Sequence, residues 1–269
     1  MIRSRSLPRA LRLAATAALL AASAPLAAQG GAAAGDLPPA KQLIDRYAEA
    51  IGGREKVMSH TSMRSVADVE MPAVGLKGTM EMFAARPNRS FVSMNFPGVG
   101  ASTTGFDGTV GWTVNPMQGP SLMEGAALDY MRETADFYET LSQIPDPARY
   151  TSIETVERTE MGGRPCWKVK LVSRSGRESF NCYDTETGLL VGMVRTQETA
   201  MGKMETTSVL SDYKEFGGIK VSTKSVTSMM GQQMIIATRT VELDTVQPSQ
   251  LEPPAEIRTL VQAQAAPRN

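Results

Sequence analysis

Apolar and polar residues alternate with a period of two through much of the chain. From Met63 to Met71 the odd positions read Met, Ser, Ala, Val, Met, while the even positions carry Arg64, Asp68 and Glu70. That alternation marks a strand with one buried face. It recurs with Leu76, Gly78, Met80 and Met82 against Lys77, Thr79 and Glu81, and with Val92, Met94 and Phe96 against Ser93 and Asn95. Val110, Trp112 and Val114 follow an Asp107-Gly108 turn, and Trp167, Val169 and Leu171 alternate with Lys168 and Lys170. Further strands are predicted over 148–160, 179–184, 189–198, 203–213, 219–229 and 233–243. Turn signals separate them, among them Pro87-Asn88, Pro97-Gly98, Gly162-Gly163, Thr187-Gly188 and Gly217-Gly218. The pattern predicts a mainly β fold of about eleven strands. It is a meander of hairpins, not a βαβ series.

Two segments break the alternation. Leu43, Ile44, Tyr47 and Ile51 recur at helical spacing between Pro39 and Ile51, and Gly52-Gly53 ends the run. Between Ser121 and Ser142, Met123, Ala127, Tyr130, Met131, Thr134, Phe137, Tyr138 and Leu141 recur at three and four, with acids and Arg132 opposite. This predicts one amphipathic helix, which needs an apolar surface to cover; a curved sheet supplies one.

The N-terminus reads as a targeting segment. Arg3, Arg5, Arg9 and Arg12 precede an apolar run from Leu13 to Ala24, and Leu26-Ala27-Ala28 offers a cleavage site before Gln29. The run is short for a membrane span, although an uncleaved anchor is the alternative. The expected division is a signal peptide over 1–28, a flexible lead-in over 29–38, one domain over 39–250 and a disordered tail over 251–269. No Cys follows the apolar run, so lipoprotein acylation is not expected there.

Composition narrows the chemistry. The 269 residues hold 28 basic and 28 acidic side chains, one His and two Cys. Without a basic excess, nucleic acid is not an expected partner. One His and two Cys exclude a multi-ligand His/Cys zinc site, and any His-dependent catalysis must use His60. Removing residues 1–28 leaves 24 basic and 28 acidic residues, a net charge of −4. Nucleophile elbows, His-Glu-x-x-His, Cys-x-x-Cys and phosphate loops are all missing, so no metal or cofactor is expected. Asp184-Thr-Glu-Thr-Gly188 reads as a hairpin turn and not as a calcium loop. His60 reads as a surface or strand-end residue.

Cys166 and Cys182 flank a turn near Ser173–Arg177. A three-residue loop sets Cys166 against Asp184, and a five-residue loop sets the two Cys directly opposite. Either register puts both on one face, whereas a two-residue turn does not. Lys170 faces Glu178 in the second register, which supports it. In an oxidising compartment the pair is expected to form a disulfide.

The unusual component is methionine, with 17 in the chain. Met63, Met71, Met80, Met82 and Met94 fall on the inferred inward face, and Met123 and Met131 on the helix. Methionine is flexible and polarizable, which suits a site that adapts to apolar ligands. It equally suits plain core packing. The candidate cavity residues are Met71, Leu76, Met80, Met82, Val92, Met94, Phe96, Trp112, Met123, Met131 and Phe137.

Five segments carry a family resemblance: Tyr47–Gly53, Gly105–Trp112, Gly163–Val169, Tyr183–Leu190 and Asp212–Ile219. In this order and spacing, over residues 40 to 245, the chain resembles exported bacterial proteins of the outer-membrane lipoprotein-sorting (LolA/LolB-like) superfamily. The resemblance implies a strongly curved antiparallel sheet forming an unclosed half-barrel, with an N-terminal helix and the inserted helix on its concave side. It implies a periplasmic protein, not an enzyme, that binds a lipid or acylated ligand in an apolar cavity. The alternative is an envelope protein-interaction or stress-sensing module on the same scaffold. A carboxylate-based hydrolase is a third possibility, supported only by unassigned acids.

Overall fold

The computed structural model describes residues 37–199 and 202–265. The targeting segment expected over 1–28, and the lead-in expected over 29–38 up to residue 36, lie outside the described residues. Helix α1 (Ala40–Ala50) buries Leu43, Ile44, Tyr47 and Ala48, the stripe its spacing predicts. It ends at Gly52 and Gly53, both with positive φ. A side chain at Gly52 would strike the carbonyl of Gly218, so glycine lets this turn close on the sheet. There the Lys220 N–H donates to the Ile51 carbonyl at 2.8 Å. The short helix α2 (Arg54–Ser59) leads into the sheet.

Thirteen strands form one antiparallel sheet. They are β1 (Ser62–Met71), β2 (Leu76–Ala85), β3 (Arg89–Phe96), β4 (Gly100–Phe106), β5 (Gly111–Asn115), β6 (Gly119–Leu122), β7 (Tyr150–Met161), β8 (Arg164–Ser173), β9 (Glu178–Asp184), β10 (Leu190–Thr199), β11 (Gly202–Phe216), β12 (Ile219–Met229) and β13 (Gln232–Leu243). Two meanders, β1–β6 and β7–β13, join where β13 pairs with β1. The outer strands β6 and β7 do not pair, so the strongly curved sheet is a half-barrel that never closes. The two strands beyond the predicted eleven are β4 and β6. The inward positions of β4 are Gly100, Ser102, Thr104 and Phe106, which carry almost no apolar alternation.

The chain crosses from β6 to β7 by helices α3 (Gly125–Thr134) and α4 (Phe137–Ser142). The single helix expected over 121–142 is therefore a strand end and two helices. The break falls at Asp136, whose carboxylate accepts the Glu139 N–H at 2.8 Å as the N-cap of α4. The Phe137 N–H donates to the Pro87 carbonyl at 3.0 Å, which ties α4 to the β2–β3 turn.

One end of the concave face is packed solid. Met63, Ala84, Val169, Leu171, Tyr183, Leu190, Leu210 and Ile219 from the sheet meet α1, Val57 of α2, and Phe137, Leu141 and Ile144 around α4. Asp212, with φ 55°, switches the parity of β11, so Leu210 and Tyr213 both reach this core. Tyr47 donates to the Ser142 carbonyl at 2.7 Å and Tyr213 to the Leu190 carbonyl at 2.8 Å, so the buried hydroxyls are satisfied.

The C-terminal segment corrects the sequence reading. Where a disordered tail is expected, Pro248–Leu251 forms a 3-10 turn and Ala255–Ala265 forms helix α5. Leu251 and Ile257 are fully buried. This segment contacts β2, β3 and β6. Gln264 reaches back to Glu124, just ahead of α3, at 2.7 Å.

Cys166 and Cys182 form a disulfide with Cα atoms 5.5 Å apart. The hairpin takes the three-residue loop, with Cys166 opposite Asp184 and Lys168 opposite Cys182. The bridge is thus diagonal, not directly across. Lys170 still pairs with Glu178, but as a diagonal ion pair, so that pair did not discriminate between registers. Val169 faces the core, which places the disulfide on the opposite, convex face. There it packs with Val191 and Met161.

Candidate ligand-binding site

Strand register defines one continuous concave surface beyond the packed end. Met82 lies opposite Val92 and Met80 opposite Met94 across β2 and β3, while Ala67 and Ser65 of β1 complete the same rows. Phe96 extends the row, its ring lying over Gly78, where a side chain would collide with it. Met71 and Leu76 face one another at the β1–β2 turn. Ile236 opposite Val69 carries the apolar surface onto β13. Met80, Met82, Val92, Met94 and Phe96 are each half-buried, and only Met82 packs against the core. Beyond β13 the surface turns polar, with Ser225, Thr227 and Ser208 on β12 and β11. The result is a trough with an apolar limb on β1–β3 and β13 and a hydroxyl-lined limb on β11–β12.

Helix α3 lies across this trough. At one end Met123 and Leu128 sit above Gly111 of β5, where a Cβ would meet both. At the other end α3 contacts β10, on the opposite limb. None of its ten residues is fully buried, and Met131 is half-buried. It is fastened instead by polar contacts. Glu133 accepts from Arg177 at 2.6 Å and from Ser175 at 2.8 Å, and Arg177 lies over the Tyr130 ring at 4.9 Å.

Under α3 and α4 is a cavity of about 340 Å³. Its lining is more polar than the methionine pattern predicts. Of the candidate residues only Met82 lines it, alongside Tyr130, Glu133, Glu139, Arg149, Tyr150, Arg177 and Arg195. Burial pushes the Glu139 carboxyl up, although the Asp146 N–H and the Arg149 guanidinium pull it down. The Tyr150 hydroxyl, also raised by burial, donates to Glu139 at 3.2 Å. Burial likewise lowers the Arg195 guanidinium from its ordinary value. These polar groups come from α3, α4, β7 and the turn before it, the β8–β9 turn and β10. No local sequence signal unites them; the hairpin register alone brings them together.

Two candidates fall elsewhere. Trp112 pairs with Gly105, in the row of Phe91 and Phe83, so it faces the convex side. It is fully buried there, on the face that the C-terminal segment covers. The inward position expected for Trp112 is off by one residue, and Gly111 and Thr113 face inward. Phe137 is 1 % exposed and belongs to the packed core, not to the trough. His60 precedes β1 as expected but is buried. Its Nδ1 faces Asp244 at 2.7 Å and its Nε2 the Gly217 carbonyl at 3.2 Å, a structural tie. Asp184 closes its own turn by accepting the Glu186 and Thr187 N–H groups, as the turn reading requires.

The rim at the open end has a consistent character. Val74, Val99, Met117, Met229 and Met230 are exposed apolar residues. Val74, Val99, Met117 and Met230 occupy the β1–β2, β3–β4, β5–β6 and β12–β13 turns and Met229 ends β12, all at this end.

The sequence matches no known family model and no curated protein. Solved structures do share the fold. A LolA superfamily protein from Nitrosomonas europaea aligns over 80 % of this chain and 98 % of its own, with a TM-score of 0.53 and 10 % identity. A DUF1329 family protein from Desulfovibrio piger aligns over 80 % and 97 %, with a TM-score of 0.54 and 13 % identity. An outer membrane lipoprotein-sorting protein domain from Vibrio parahaemolyticus covers 79 % and 97 %, with a TM-score of 0.50 and 10 % identity. The chain therefore shares its fold with these three structures. Among the described residues no helix is long and apolar enough to cross a membrane.

Proposed function

We propose that this is an exported, periplasmic protein that binds a lipid or acyl chain along the trough, with α3 as its movable cover. The observation that carries the reading is the half-buried apolar limb of Met80, Met82, Val92, Met94 and Phe96, bridged by a helix with no fully buried residue. A closed core would bury those side chains; a ligand site keeps them accessible. Each methylene laid against this limb contributes about 0.8 kcal/mol. The shared fold and the charge-poor limb both support binding over catalysis. A disulfide suits an oxidising compartment.

The test is titration of purified protein with a fluorescent fatty acid, comparing wild type with Met94→Asp. The expected result is saturable uptake by the wild type and its loss in a variant that stays folded. Equal uptake by both would remove the trough from the account.

The apolar rim favours a second reading. Val74, Val99, Met117, Met229 and Met230 present contact residues at one end, which suits docking on another envelope component. Stable capture of an envelope protein by lipid-free material, lost when Met229 and Met230 become Ser, would favour it.

A further inference from the structure

The cavity beneath α3 holds a group of ion pairs with one arginine outside it. Three arginines and two glutamates line it. Arg177 is neutralised by Glu133 at 2.6 Å. Arg149 lies 3.4 Å from Asp136 and 4.0 Å from Glu139. Arg195 has no carboxylate within 4.0 Å among the described residues. Its Nη1 donates to the carbonyls of Phe180 at 2.9 Å and Val194 at 3.2 Å, and its Nη2 to Asn181 Oδ1 at 2.8 Å and Met193 Sδ at 3.2 Å. All four partners are neutral. They orient the guanidinium, and the Asn181 bond is backed by Asn181 donating to the Tyr183 hydroxyl at 3.1 Å. The Nε–H has no partner among the described residues, and the bond to thioether sulfur is weak.

A half-buried cation held in orientation by neutral partners, with its Nε–H left over among the described residues, is placed to accept an anion. Arg195 also shares its cavity with Met82, the first methionine of the apolar limb. A chain lying on Met82, Val92, Met80 and Met94 therefore has a cation at its inner end.

Resting on the lipid-binding reading, we propose that Arg195 is the head-group site for a single-chain amphiphile ending in an anion, a carboxylate or a phosphate monoester. The head accepts from the guanidinium while the tail runs along β2 and β3 toward the rim. A charge-assisted contact of this kind favours the anionic ligand by about tenfold or more over a neutral one of equal chain length.

The experiment measures affinities of the full-length protein for palmitate, hexadecyl phosphate and hexadecanol, which share a chain and differ in the head. The expected result is binding of at least one anion about tenfold tighter than hexadecanol, and the tighter anion identifies the head. Arg195→Gln should bring the preferred anion to within about twofold of hexadecanol, and Arg195→Lys should retain part of the preference. Hexadecanol binding as tightly as both anions overturns the head-group site and leaves lipid binding intact. So does an unchanged preference in a folded Arg195→Gln. Binding of none of the three overturns lipid binding itself. Should Arg195→Gln fail to fold, the wild-type contrast decides alone.

Discussion

Helix α3 is the element whose energetics the structure defines best, because so little holds it. With no fully buried residue, its attachment rests on the Glu133–Arg177–Ser175 cluster at one end and Gln264–Glu124 at the other. Replacing Glu133 by Gln removes the charge that Arg177 faces at 2.6 Å but leaves Arg177 stacked on Tyr130. A buried charge-assisted bond contributes about 1.5–3 kcal/mol and an exposed pair about 0–1. Both side chains here are 24 % exposed, so the loss is set between those limits, at about 1–2 kcal/mol. That raises the open population of α3 by roughly 5–30-fold. Amide hydrogen exchange reads it directly, since local opening of α3 sets protection over Gly125–Thr134. The expected result is faster exchange confined to α3 and its flanks, with the β-ladder amides unchanged, and faster ligand uptake. Unchanged α3 protection, or a loss spread evenly over the sheet, would refute the picture of a latched cover.

Other expectations follow from the same geometry. Met80→Asp and Met94→Asp place a carboxylate in the trough without touching the core, so acyl-chain affinity should fall more than tenfold while the thermal midpoint shifts little; calorimetry checks both. Asp184 is 3 % exposed. Burial raises its pKa, but the Thr187 and Glu186 bonds and Arg164 outweigh this and hold it below the usual carboxylate range. Its stabilising contribution is therefore present above the unfolded carboxylate pKa of about 4 and lost as pH falls through the lower folded value. Asp184→Asn should cost about 1–3 kcal/mol at neutral pH and flatten the acid limb of a stability profile. Reducing the Cys166–Cys182 bridge, which spans 16 residues, should cost at most ~3 kcal/mol by the chain-entropy estimate, measured as the denaturation difference between oxidised protein and the double Ser variant.

The sequence revealed elements where one face alternates cleanly with solvent. In β1 to β3 the odd and even rows predicted from apolar spacing are the rows that pair in the sheet. It concealed β4, whose inward Gly100, Ser102 and Thr104 leave no apolar signal. It hid the break at Asp136 because Phe137 and Leu141 continue the periodicity of α3 across the cap. Trp112 was misplaced because alternation identifies a buried row, not the layer burying it. Here that layer is a C-terminal segment whose Gln- and Ala-rich composition reads as tail. The apolar limb was thus legible, while the charged cavity was not. Arg195, Glu139 and Arg177 lie far apart in sequence and meet only when β7–β10 fold against α3 and α4.

The most direct test of the central claim is a map of where an acyl chain lies. A diazirine-bearing palmitate would be photo-crosslinked to the full-length protein, and the labelled residues located by mass spectrometry. The account predicts saturable labelling on β2 and β3, at Met80, Met82, Val92 and Met94, displaced by unlabelled palmitate. Labelling confined to the convex strand faces or to the exposed rim, or labelling that unlabelled palmitate does not displace, would contradict it.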